Sequence, residues 1–462
     1  MTAERHDVVI VGAGPAGIFA ALELVRGGFE GRLLLVEKGH GIEERSCPAR
    51  ERGCVDCQVC DIMTGWGGAG AFSDGKLTLT TEVGGWLADY TGTEALDGLL
   101  EHADDVWVEF GATTEVTAPD AGTVERLMRE ATLAGMQLVP MRVRHMGTDK
   151  LPAVLSAMRV ELERRGVEVR TDVAVARVLT ADGSVTGVEL AGGARVEAST
   201  VIVAPGREGA DWMASEARRL KIKLTNNAVD IGVRVEVSAP VMERLTDPFY
   251  EAKLVYNSKQ FGDRVRTFCM NPYGEVTTES YGGITTVNGH SFSDTRTANT
   301  NFAVLVSQMF TEPFDDPITY GQEIAHLANL LSDGVIVQRL GDLKAGRRST
   351  PERMAESIVT PTMKGAVPGD LAFVLPYRHL ADILEFLEAL DKLVPGVNGP
   401  GTLLYGVEVK FYSSRVAVDA NLQTKIAGLY AIGDGAGITR GLLQSSASGV
   451  VAARAVLAGL RG

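Results

Sequence analysis

The sequence lacks an excess of positive charge, a long apolar run and any tract of biased composition. Its 462 residues include 45 Lys and Arg against 59 Asp and Glu, which gives a net charge of −14. That balance argues against nucleic acids and anionic membrane surfaces as partners. No uninterrupted apolar run approaches the roughly 20 residues of a membrane span. We therefore expect neither a nucleic-acid partner nor a membrane partner.

A signal peptide is also missing, because Glu4 and Asp7 interrupt the N-terminal stretch that would have to be apolar. We therefore expect a cytoplasmic protein, whose cysteines are thiols or ligands rather than structural disulfides. The composition includes 45% apolar residues and 53 glycines, enough for a large core and many loops. A chain of this length is too long for one simple core, so two domains are expected.

The first strong signal is a glycine-rich turn, Gly12-Ala-Gly14-Pro-Ala-Gly17, between an apolar strand and an apolar helix. A second apolar strand, residues 33–36, ends at Glu37. In this context Gly12 permits a tight turn, Gly14 lets the backbone approach a pyrophosphate, and Gly17 lets the helix pack closely. The pattern predicts a dinucleotide at the helix N-terminus, with Glu37 accepting hydrogen bonds from an adenosine ribose.

A second glycine-rich turn lies near the C-terminus, in Gly428-Leu-Tyr-Ala-Ile-Gly433-Asp434-Gly-Ala-Gly437. It resembles the second FAD motif of glutathione-reductase-like flavoproteins, in which the aspartate holds the ribityl chain. Short strands that end at Ala204-Pro205-Gly206 resemble the hairpin and turn of the same class. The resemblance implies FAD. The residues expected to contact it are Gly12, Gly14, Pro15, Ala16, Gly17, Glu37, Lys38, Gly67, Gly68, Ala69, Val173, Ala204, Gly206, Gly433 and Asp434.

Several further motifs narrow this resemblance. They are Cys47-Pro with Cys54-Val-Asp-Cys57-Gln-Val-Cys60, Gly65-Trp-Gly-Gly-Ala-Gly-Ala-Phe-Ser-Asp-Gly-Lys76, Arg266-Thr-Phe-Cys-Met-Asn-Pro272, Val287-Asn-Gly-His290, Leu404-Tyr-Gly-Val-Glu-Val-Lys-Phe-Tyr412 and Gly433-Asp-Gly-Ala-Gly-Ile-Thr-Arg440. They resemble a widespread bacterial family of uncharacterised FAD-dependent dehydrogenases. The resemblance implies an α/β fold, with a Rossmann-type FAD-binding domain and a second, mixed α+β substrate or cap domain. It implies no particular substrate.

The order of the motifs predicts that the FAD-binding domain is discontinuous. Its expected segments are 1–80, 150–220 and 396–462, and the expected substrate or cap segments are 81–149 and 221–395. Within the cap, residues 230–237 alternate as a strand does, whereas Asn301 to Phe310 is predicted to be a helix.

Two features of pyridine-nucleotide disulfide reductases are absent. A second GxGxxG after a mid-chain strand is missing, because the segment Gly65-Trp-Gly-Gly-Ala-Gly70 has no preceding strand. The redox pair of those enzymes, two cysteines four residues apart after the second strand, is missing as well. The flavin is therefore expected to exchange electrons with a small-molecule substrate directly. Transiently docked NAD(P)H or an electron-transfer protein is the alternative.

Four of the five cysteines lie in one window, at Cys47, Cys54, Cys57 and Cys60. Thiolates at this spacing can hold an iron–sulfur cluster or a tetrahedral zinc ion. A redox dithiol formed by Cys54 and Cys57, or by Cys57 and Cys60, fits the same spacing. Reduced thiols that only pack are the remaining interpretation. We favour a four-sulfur metal or cluster site near the flavin.

The candidate catalytic residues are His290, Arg266 and Arg440. The imidazole of His290 titrates near neutrality and could donate or accept a proton. Arg440 or Lys410 could stabilise negative charge on the reduced flavin or on a substrate carboxylate, although Lys410 is better interpreted as part of a salt bridge. These residues suit an oxidoreductase that moves a hydride between flavin N5 and a small organic substrate. A flavin monooxygenase, a dithiol flavoprotein and an RNA-modifying flavoprotein are the alternatives, and the charge disfavours RNA.

Overall fold

The computed structural model describes residues 4–47, 57–73, 75–146, 150–249, 251–281, 283–291, 296–314 and 316–461. The chain forms two compact units. Unit 1 comprises Met1–Val116, Arg142–Asn227 and Ser413–Gly462, and unit 2 comprises Thr117–Met141 and Ala228–Tyr412.

The α-helices are α1 Pro15–Arg26, α2 Ala88–Thr91, α3 Thr93–Glu109, α4 Ala121–Leu133, α5 Leu151–Arg164, α6 Ala210–Arg219, α7 Ala239–Phe249, α8 Pro317–Ser332, α9 Leu340–Lys344, α10 Pro351–Ala355, α11 Tyr377–Leu393 and α12 Leu442–Arg461. Short 3₁₀ turns span Gly68–Phe72, Leu371–Phe373 and Asp434–Ala436.

The strands of unit 1 and unit 2 are numbered together along the chain. They are β1 Glu4–Arg5, β2 Val8–Val11, β3 Leu33–Val36, β4 Lys76–Thr78, β5 Gln137–Val139, β6 Val143–His145, β7 Glu168–Arg170, β8 Val175–Ala181, β9 Ser184–Leu190, β10 Arg195–Glu197, β11 Thr200–Val203, β12 Leu224–Thr225, β13 Val229–Ser238, β14 Lys253–Asn257, β15 Arg264–Asn271, β16 Glu275–Tyr281, β17 Ile284–His290, β18 Asn299–Gln308, β19 Ile336–Arg339, β20 Val367–Pro368, β21 Leu403–Lys410, β22 Arg415–Val416 and β23 Leu429–Ala431.

A five-stranded parallel sheet, in the order β23-β11-β2-β3-β7, forms the centre of unit 1. Every residue of β2 and β3 is apolar and buried, as expected for parallel strands covered on both faces. A four-stranded sheet in the order β1-β10-β9-β8 belongs to the same unit. Helix α1 begins at Pro15, a residue favoured in the first turn, and packs on α12. The α/β, Rossmann-type prediction is confirmed.

Helix α12 is long and apolar enough to span a membrane, with a mean hydropathy of 1.2 over Leu442–Leu460. The interruption at Arg454 explains why no continuous apolar run was expected here. Within the structure 72% of this segment is buried. A Cβ on Gly449 would lie 2.2 Å from the carbonyl oxygen of Ala16, so α12 packs directly on α1. Core helices of this kind meet the same length and hydropathy criteria.

Unit 2 contains an eight-stranded sheet in the order β20-β19-β21-β13-β18-β15-β14-β5. Side chains alternate across its central strand β13. Ile231 and Val233 are fully buried in the apolar core, whereas Asp230, Arg234 and Glu236 point to the opposite face. We call that opposite side the polar face. The hairpin formed by β16 and β17 lies against it, since its Asn288 hydrogen-bonds Arg234.

The helix predicted from Asn301 to Phe310 is wrong, because this segment lies within and just beyond strand β18. Its ten residues pair with β13 on one side and β15 on the other, and most of them are buried. A continuous apolar run buried on both faces has no clear period, so strand and helix cannot be told apart by pattern alone. Pairing with two neighbouring strands decided the outcome.

The predicted domain boundaries need four corrections, of which two are short: residues 142–146 and 221–227 were assigned to the cap and belong to unit 1. The other two are longer. Residues 81–116, assigned to the cap, belong to unit 1, because the buried Trp107 on α3 donates to the Ser446 hydroxyl on α12 at 3.1 Å. Residues 396–412, assigned to the FAD-binding domain, belong to unit 2, because β21 is an interior strand of its sheet. Both errors come from long-range packing that no local motif reports.

Candidate functional site

Two glycines of the first turn are required by the packing of unit 1. Gly12 has a φ of 103°, and a Cβ there would lie 2.1 Å from the Ala204 carbonyl oxygen. A Cβ on Gly17 would lie 1.9 Å from the Gly12 carbonyl oxygen. Neither position accepts a side chain without backbone movement. The predicted tight turn and close helix packing are therefore confirmed.

Gly14 differs from both, since its backbone is extended at φ −76° and ψ 180° and would accept any residue. A Cβ there would meet only the Gly68 Cα, at 4.0 Å. Gly14 is also the N-cap of α1, where the first backbone N–H groups have no partner within the helix. The protein thus leaves open space at a helix N-terminus, which is a favourable position for a phosphate group.

The segment after the cysteine window faces this open space. Gly67 and Gly68 have φ values of 87° and 59°, and a Cβ on Gly68 would lie 3.1 Å from the Gly14 Cα. Arg45, which is buried, donates to the carbonyls of Trp66 at 2.6 Å and Gly68 at 2.9 Å. Burial lowers the pKa of Arg45 to about 10. Its guanidinium therefore fixes the Gly67–Gly68 backbone beside the first glycine turn, where the Gly67 N–H donates to the Ala13 carbonyl at 2.8 Å.

The carboxylate of Glu37 holds three loops together. It accepts hydrogen bonds from the backbone N–H groups of Ala13 at 2.8 Å, Gly39 at 2.9 Å and Gly65 at 2.9 Å. A carboxylate offers about four lone-pair sites, so one acceptor site is left for a ribose hydroxyl. The sequence pattern predicted the ribose contact and missed this structural role.

The C-terminal turn carries a second carboxylate. Asp434 accepts from the hydroxyls of Thr439 at 2.8 Å and Ser445 at 2.7 Å through Oδ1, and from the Gly441 N–H at 3.2 Å through Oδ2. The backbone N–H of Gly433 donates to the Ser448 hydroxyl at 3.1 Å. These contacts close the loop between β23 and α12 and leave Oδ2 with capacity for a ligand hydroxyl.

The remaining predicted cofactor residues lie on the same unit. Pro15 and Ala16 form the first turn of α1, and Ala69 lies in the 3₁₀ turn that begins at Gly68. The Val173 N–H donates to the Glu37 carbonyl at 2.9 Å, and Lys38 forms an ion pair with Glu208.

Strand β11 ends beside the first turn. The Ala204 N–H donates to the Val11 carbonyl at 2.7 Å, and Gly206 follows with a φ of 66° and open space where a Cβ would lie. The helix N-terminus at Gly14 offers N–H donors, and the carboxylates of Glu37 and Asp434 retain acceptor capacity. These are the kinds of groups that the phosphates and hydroxyls of FAD require.

Comparison with protein families agrees with this geometry. A family described as FAD binding domain matches residues 7–233, and one described as FAD-dependent protein, C-terminal domain-like, matches residues 229–411. The chain is an FAD-dependent oxidoreductase. A Clostridium beijerinckii protein, described as uncharacterized, is 27% identical over 97% of this chain and 80% of its own length.

Two solved structures illustrate how far the similarity extends. A 3-ketosteroid-Δ4-(5α)-dehydrogenase from Rhodococcus jostii is 14% identical, with a TM-score of 0.45, and covers 98% of this chain and 97% of its own. An L-proline dehydrogenase from P. horikoshii is 12% identical, with a TM-score of 0.41, and covers 99% and 94%. Similarity at this level does not indicate a substrate for this oxidoreductase.

Arg266, a candidate catalytic residue, lies on β15 and is only 4% exposed. Its Nη2 donates to Asp230 at 2.5 Å and to the Tyr412 hydroxyl at 2.9 Å. Burial opposes the charge, but the Asp230 carboxylate raises the pKa of Arg266 above its usual value. The Nη1 group has no hydrogen-bond partner among the described residues. Arg266 is thus a permanent buried cation with one donor left over.

The other two catalytic candidates are more exposed. His290 is the last residue of β17 and is exposed at the end of the hairpin, opposite Glu275. Arg440 lies in the loop after Asp434, and its guanidinium carbon is 4.3 Å from the centre of the Trp86 ring. Lys410 forms ion pairs with Glu279 at 2.7 Å and Glu408 at 3.5 Å, so its salt-bridge interpretation is confirmed.

A buried arginine on the polar face was missed. Arg234 is fully buried and makes a two-fold contact with Glu408, both distances being 2.8 Å. It also donates to the Cys269 carbonyl and to Asn301 Oδ1, each at 2.9 Å. Burial acts to lower the pKa of Arg234, but its neighbours Glu408 and Cys269 act more strongly to raise it. The net effect is a raised pKa, so the guanidinium stays charged. The sequence signal that could have identified Arg234 is the alternation of charged residues with valines along β13.

The cysteine window lies partly outside the described residues, because Cys54 falls there. Cys47, Cys57 and Cys60 are free thiols, as is Cys269 in unit 2. Within the described part of the chain, the potential metal-ligating groups whose atoms lie within 4.8 Å are Glu4–His6–Glu168 and His40–Glu44–Asp172, neither of which contains a cysteine. Convergence of all four sulfurs stays a prediction.

Proposed function

We propose that this oxidoreductase binds FAD noncovalently and moves a hydride between flavin N5 and a small organic substrate. The observation that carries the proposal concerns Gly14, the N-cap of α1. A Cβ at this residue would meet only the Gly68 Cα, at 4.0 Å, so space remains beside the free N–H groups of the helix. FAD supplies the hydride chemistry when bound, while the protein supplies binding, orientation and electrostatics.

Each carboxylate has a distinct proposed part in binding. The N–H groups at the start of α1 hold the pyrophosphate, because they lack partners within the helix and favour negative charge. Glu37 orients the adenosine ribose through its remaining acceptor site, since its other sites hold the backbone of three loops. Asp434 accepts from the ribityl chain through Oδ2.

Three polar residues, each with its own surroundings, are proposed to act on the substrate. Arg266 offers a buried cation with an unused donor, suited to hold an anionic or carbonyl oxygen. His290, exposed at the hairpin end, is proposed to donate or accept the proton that accompanies hydride transfer. In unit 1, Arg440 provides a cation that favours negative charge as it develops.

The electron partner is proposed to be the substrate itself. NAD(P)H or an electron-transfer protein that docks transiently is the alternative source, because the sequence has no second dinucleotide motif. The net charge of −14 supports an enzyme without nucleic-acid partners.

The cysteine window is proposed to hold a metal or an iron–sulfur cluster. Its support is the sequence spacing of Cys47, Cys54, Cys57 and Cys60 together with the free state of the three described thiols. Iron, sulfide and zinc analysis of anaerobically purified protein tests this part. Stoichiometric zinc or iron is expected. Fewer than about 0.1 metal ions per chain would contradict the metal site, and a redox dithiol or unliganded thiols would then be the remaining interpretations.

The central experiment is anaerobic ultraviolet–visible spectroscopy of the freshly purified protein. A bound flavin spectrum is expected, with all flavin released by acid precipitation as intact FAD. Reduced flavin should then be reoxidised, or oxidised flavin reduced, by members of a small-molecule panel without oxygen. An apoprotein that fails to take up added FAD would overturn the proposal. Substrate oxygenation tightly coupled to oxygen uptake would instead favour a monooxygenase.

A further inference from the structure

Two guanidinium groups lie close to the indole ring of Trp86 in unit 1. The Cζ atom of Arg440 is 4.3 Å from the ring centre, and that of Arg415 is 5.1 Å from it. Both distances lie within the usual range of cation–π attraction, about 6 Å. Arg415 is further held by Asp89, with an Nη1 to Oδ2 distance of 3.1 Å. Arg440 therefore contacts a ring that a second, ion-paired arginine also contacts.

The backbone around this stack is tied in the same way. The Trp86 N–H donates to the Ile438 carbonyl at 2.7 Å, and the Arg440 N–H donates to the Gly84 carbonyl at 2.6 Å. Gly85 has a φ of 114°, and a Cβ there would lie 2.6 Å from the Ile438 oxygen. The segment with Trp86 thus runs directly along the loop that carries Arg440, and its main chain admits only glycine at the closest point.

The same loop surrounds the carboxylate of Asp434. Thr439, just before Arg440, donates to Asp434 Oδ1 at 2.8 Å, and Gly441, just after it, donates to Oδ2 at 3.2 Å. Arg440 is therefore held within a loop closed on the residue that we propose to bind the ribityl chain.

We infer that Trp86 is a positioning residue, which holds the Arg440 guanidinium where it raises the reduction potential of the bound flavin. The inference rests on the proposed binding of FAD. Two-electron reduction by a hydride adds negative charge to the flavin ring, and a fixed cation in a partly buried site favours that charge. Stacking on the indole restricts the guanidinium to one plane, so its charge is already oriented when reduction occurs.

The test is equilibrium potentiometry of the bound flavin against a reference dye, with sulfite binding to the oxidised flavin as a second readout. The R440M and W86L variants should each lower the potential. The expected change is at least a tenfold drop in the reduced-to-oxidised ratio at a fixed potential, about 30 mV for a two-electron couple. Sulfite should bind at least tenfold more weakly to both variants.

Two further variants separate positioning from general effects. W86F keeps an aromatic ring beside Arg440, so the reduction potential of its flavin should stay close to that of the wild-type protein. R415M removes a cation from the same ring and should leave the potential nearly unchanged, because Arg415 is held by Asp89 rather than by the Asp434 loop. An R415M effect as large as that of R440M would overturn the inference, since it would reflect net charge alone.

The remaining outcomes are equally decisive. An unchanged flavin potential in R440M would overturn the role of Arg440. A lowered potential in R440M together with an unchanged potential in W86L would overturn the role of Trp86. Flavin content is measured first in every variant. A wild-type protein without flavin would contradict the proposed function, whereas full flavin with an unchanged potential would contradict only this inference.

Discussion

Glycine substitutions in the first turn have consequences that depend on the local geometry of each residue. Gly12 and Gly17 would each place a Cβ about 2 Å from a carbonyl oxygen, at 2.1 and 1.9 Å respectively. Gly14 would place its Cβ in open space, with an allowed extended backbone. The three residues look equivalent in the motif, but only Gly14 separates cofactor binding from folding.

We predict that Gly14→Val binds FAD at least about tenfold more weakly, a loss of about 1.4 kcal/mol, while the apoprotein loses no more than about 1 kcal/mol of stability because valine is a poorer N-cap than glycine. The side chain would occupy the space proposed for the pyrophosphate. Isothermal titration of apoprotein with FAD and urea unfolding measure the two quantities. Gly17→Ala is the matched control and should lower stability by more than about 1 kcal/mol. Unchanged FAD affinity in Gly14→Val would contradict the placement.

Glu37 allows a second prediction at the same scale. Glu37→Gln replaces a carboxylate oxygen by an NH₂ group that cannot accept from the Ala13, Gly39 or Gly65 N–H groups. At least one buried donor loses its partner, so stability should fall by about 1–3 kcal/mol and FAD binding should weaken. Thermal unfolding with and without FAD measures both effects. The exposed Glu30→Gln on the same unit should change neither.

At the scale of elements, the pairing of β13 with β21 depends on a buried ion pair. Arg234 and Glu408 are both fully buried and in two-fold contact. Removing one partner of such a pair leaves an uncompensated buried charge, which typically costs about 3–5 kcal/mol. The polar face of β13 thus contributes directly to the stability of unit 2.

Arg234→Met should therefore destabilise the protein by about 3–5 kcal/mol, measured by urea unfolding at pH 7.5. The double variant Arg234→Met with Glu408→Met should recover most of this loss, because neither charge is then buried. Arg164→Met, which removes an exposed partner of Glu161, is the control and should shift the midpoint little. A double variant as unstable as the single one would show that packing, not charge, dominates.

Patterns within elements were predictive where the two faces of a strand differ in polarity. The alternation at 230–237 predicted strand β13, which is buried on both faces but carries its charged residues on only one of them. The run at 301–310 did not reveal strand β18, because residues 302–306 are apolar on both faces and show no alternation. Local sequence therefore identifies strands with one polar face better than strands that are apolar throughout.

At the scale of the whole molecule, two buried titratable groups on α11 should make stability depend on pH. Burial raises the pKa of Asp382 to about 6, and the nearby Asp263 carboxylate adds to this. Burial lowers the pKa of His379 to about 4. The His379 nitrogens have no hydrogen-bond partner within the described ranges, whereas the Asp382 carboxyl faces Ser258 and Asp263. Arg378, the adjacent cation, pairs with Asp263.

The two groups act in opposite directions. The Asp382 contribution is present below its unfolded pKa of about 3.9 and is lost as the pH rises through about 6. The His379 contribution is present above its unfolded pKa of about 6.5 and is lost as the pH falls through about 4. Between pH 4 and 6.5 the two changes partly cancel in the wild-type protein.

Single variants should reveal how each of the two groups makes the free energy of unfolding depend on pH. Relative to wild type, Asp382→Asn should gain about 1–3 kcal/mol at pH 8 and little at pH 4. His379→Gln should gain stability, again relative to wild type, as the pH falls from 6.5 toward 4. Urea midpoints at five pH values between 4 and 8 measure both. Parallel pH profiles for all three proteins would contradict the assignment.

The sequence alone determined the features that depend on a few neighbouring residues. The tight turn at Gly12, the close packing at Gly17 and the parallel α/β order follow from backbone geometry and short apolar strands. The tertiary structure alone decided which distant residues meet. Arg234 and Glu408 are 174 positions apart, and Trp86 meets Arg440 only through the pairing of two loops. The physical reason is that conformational preference is local, whereas burial and charge pairing depend on the topology of the whole chain.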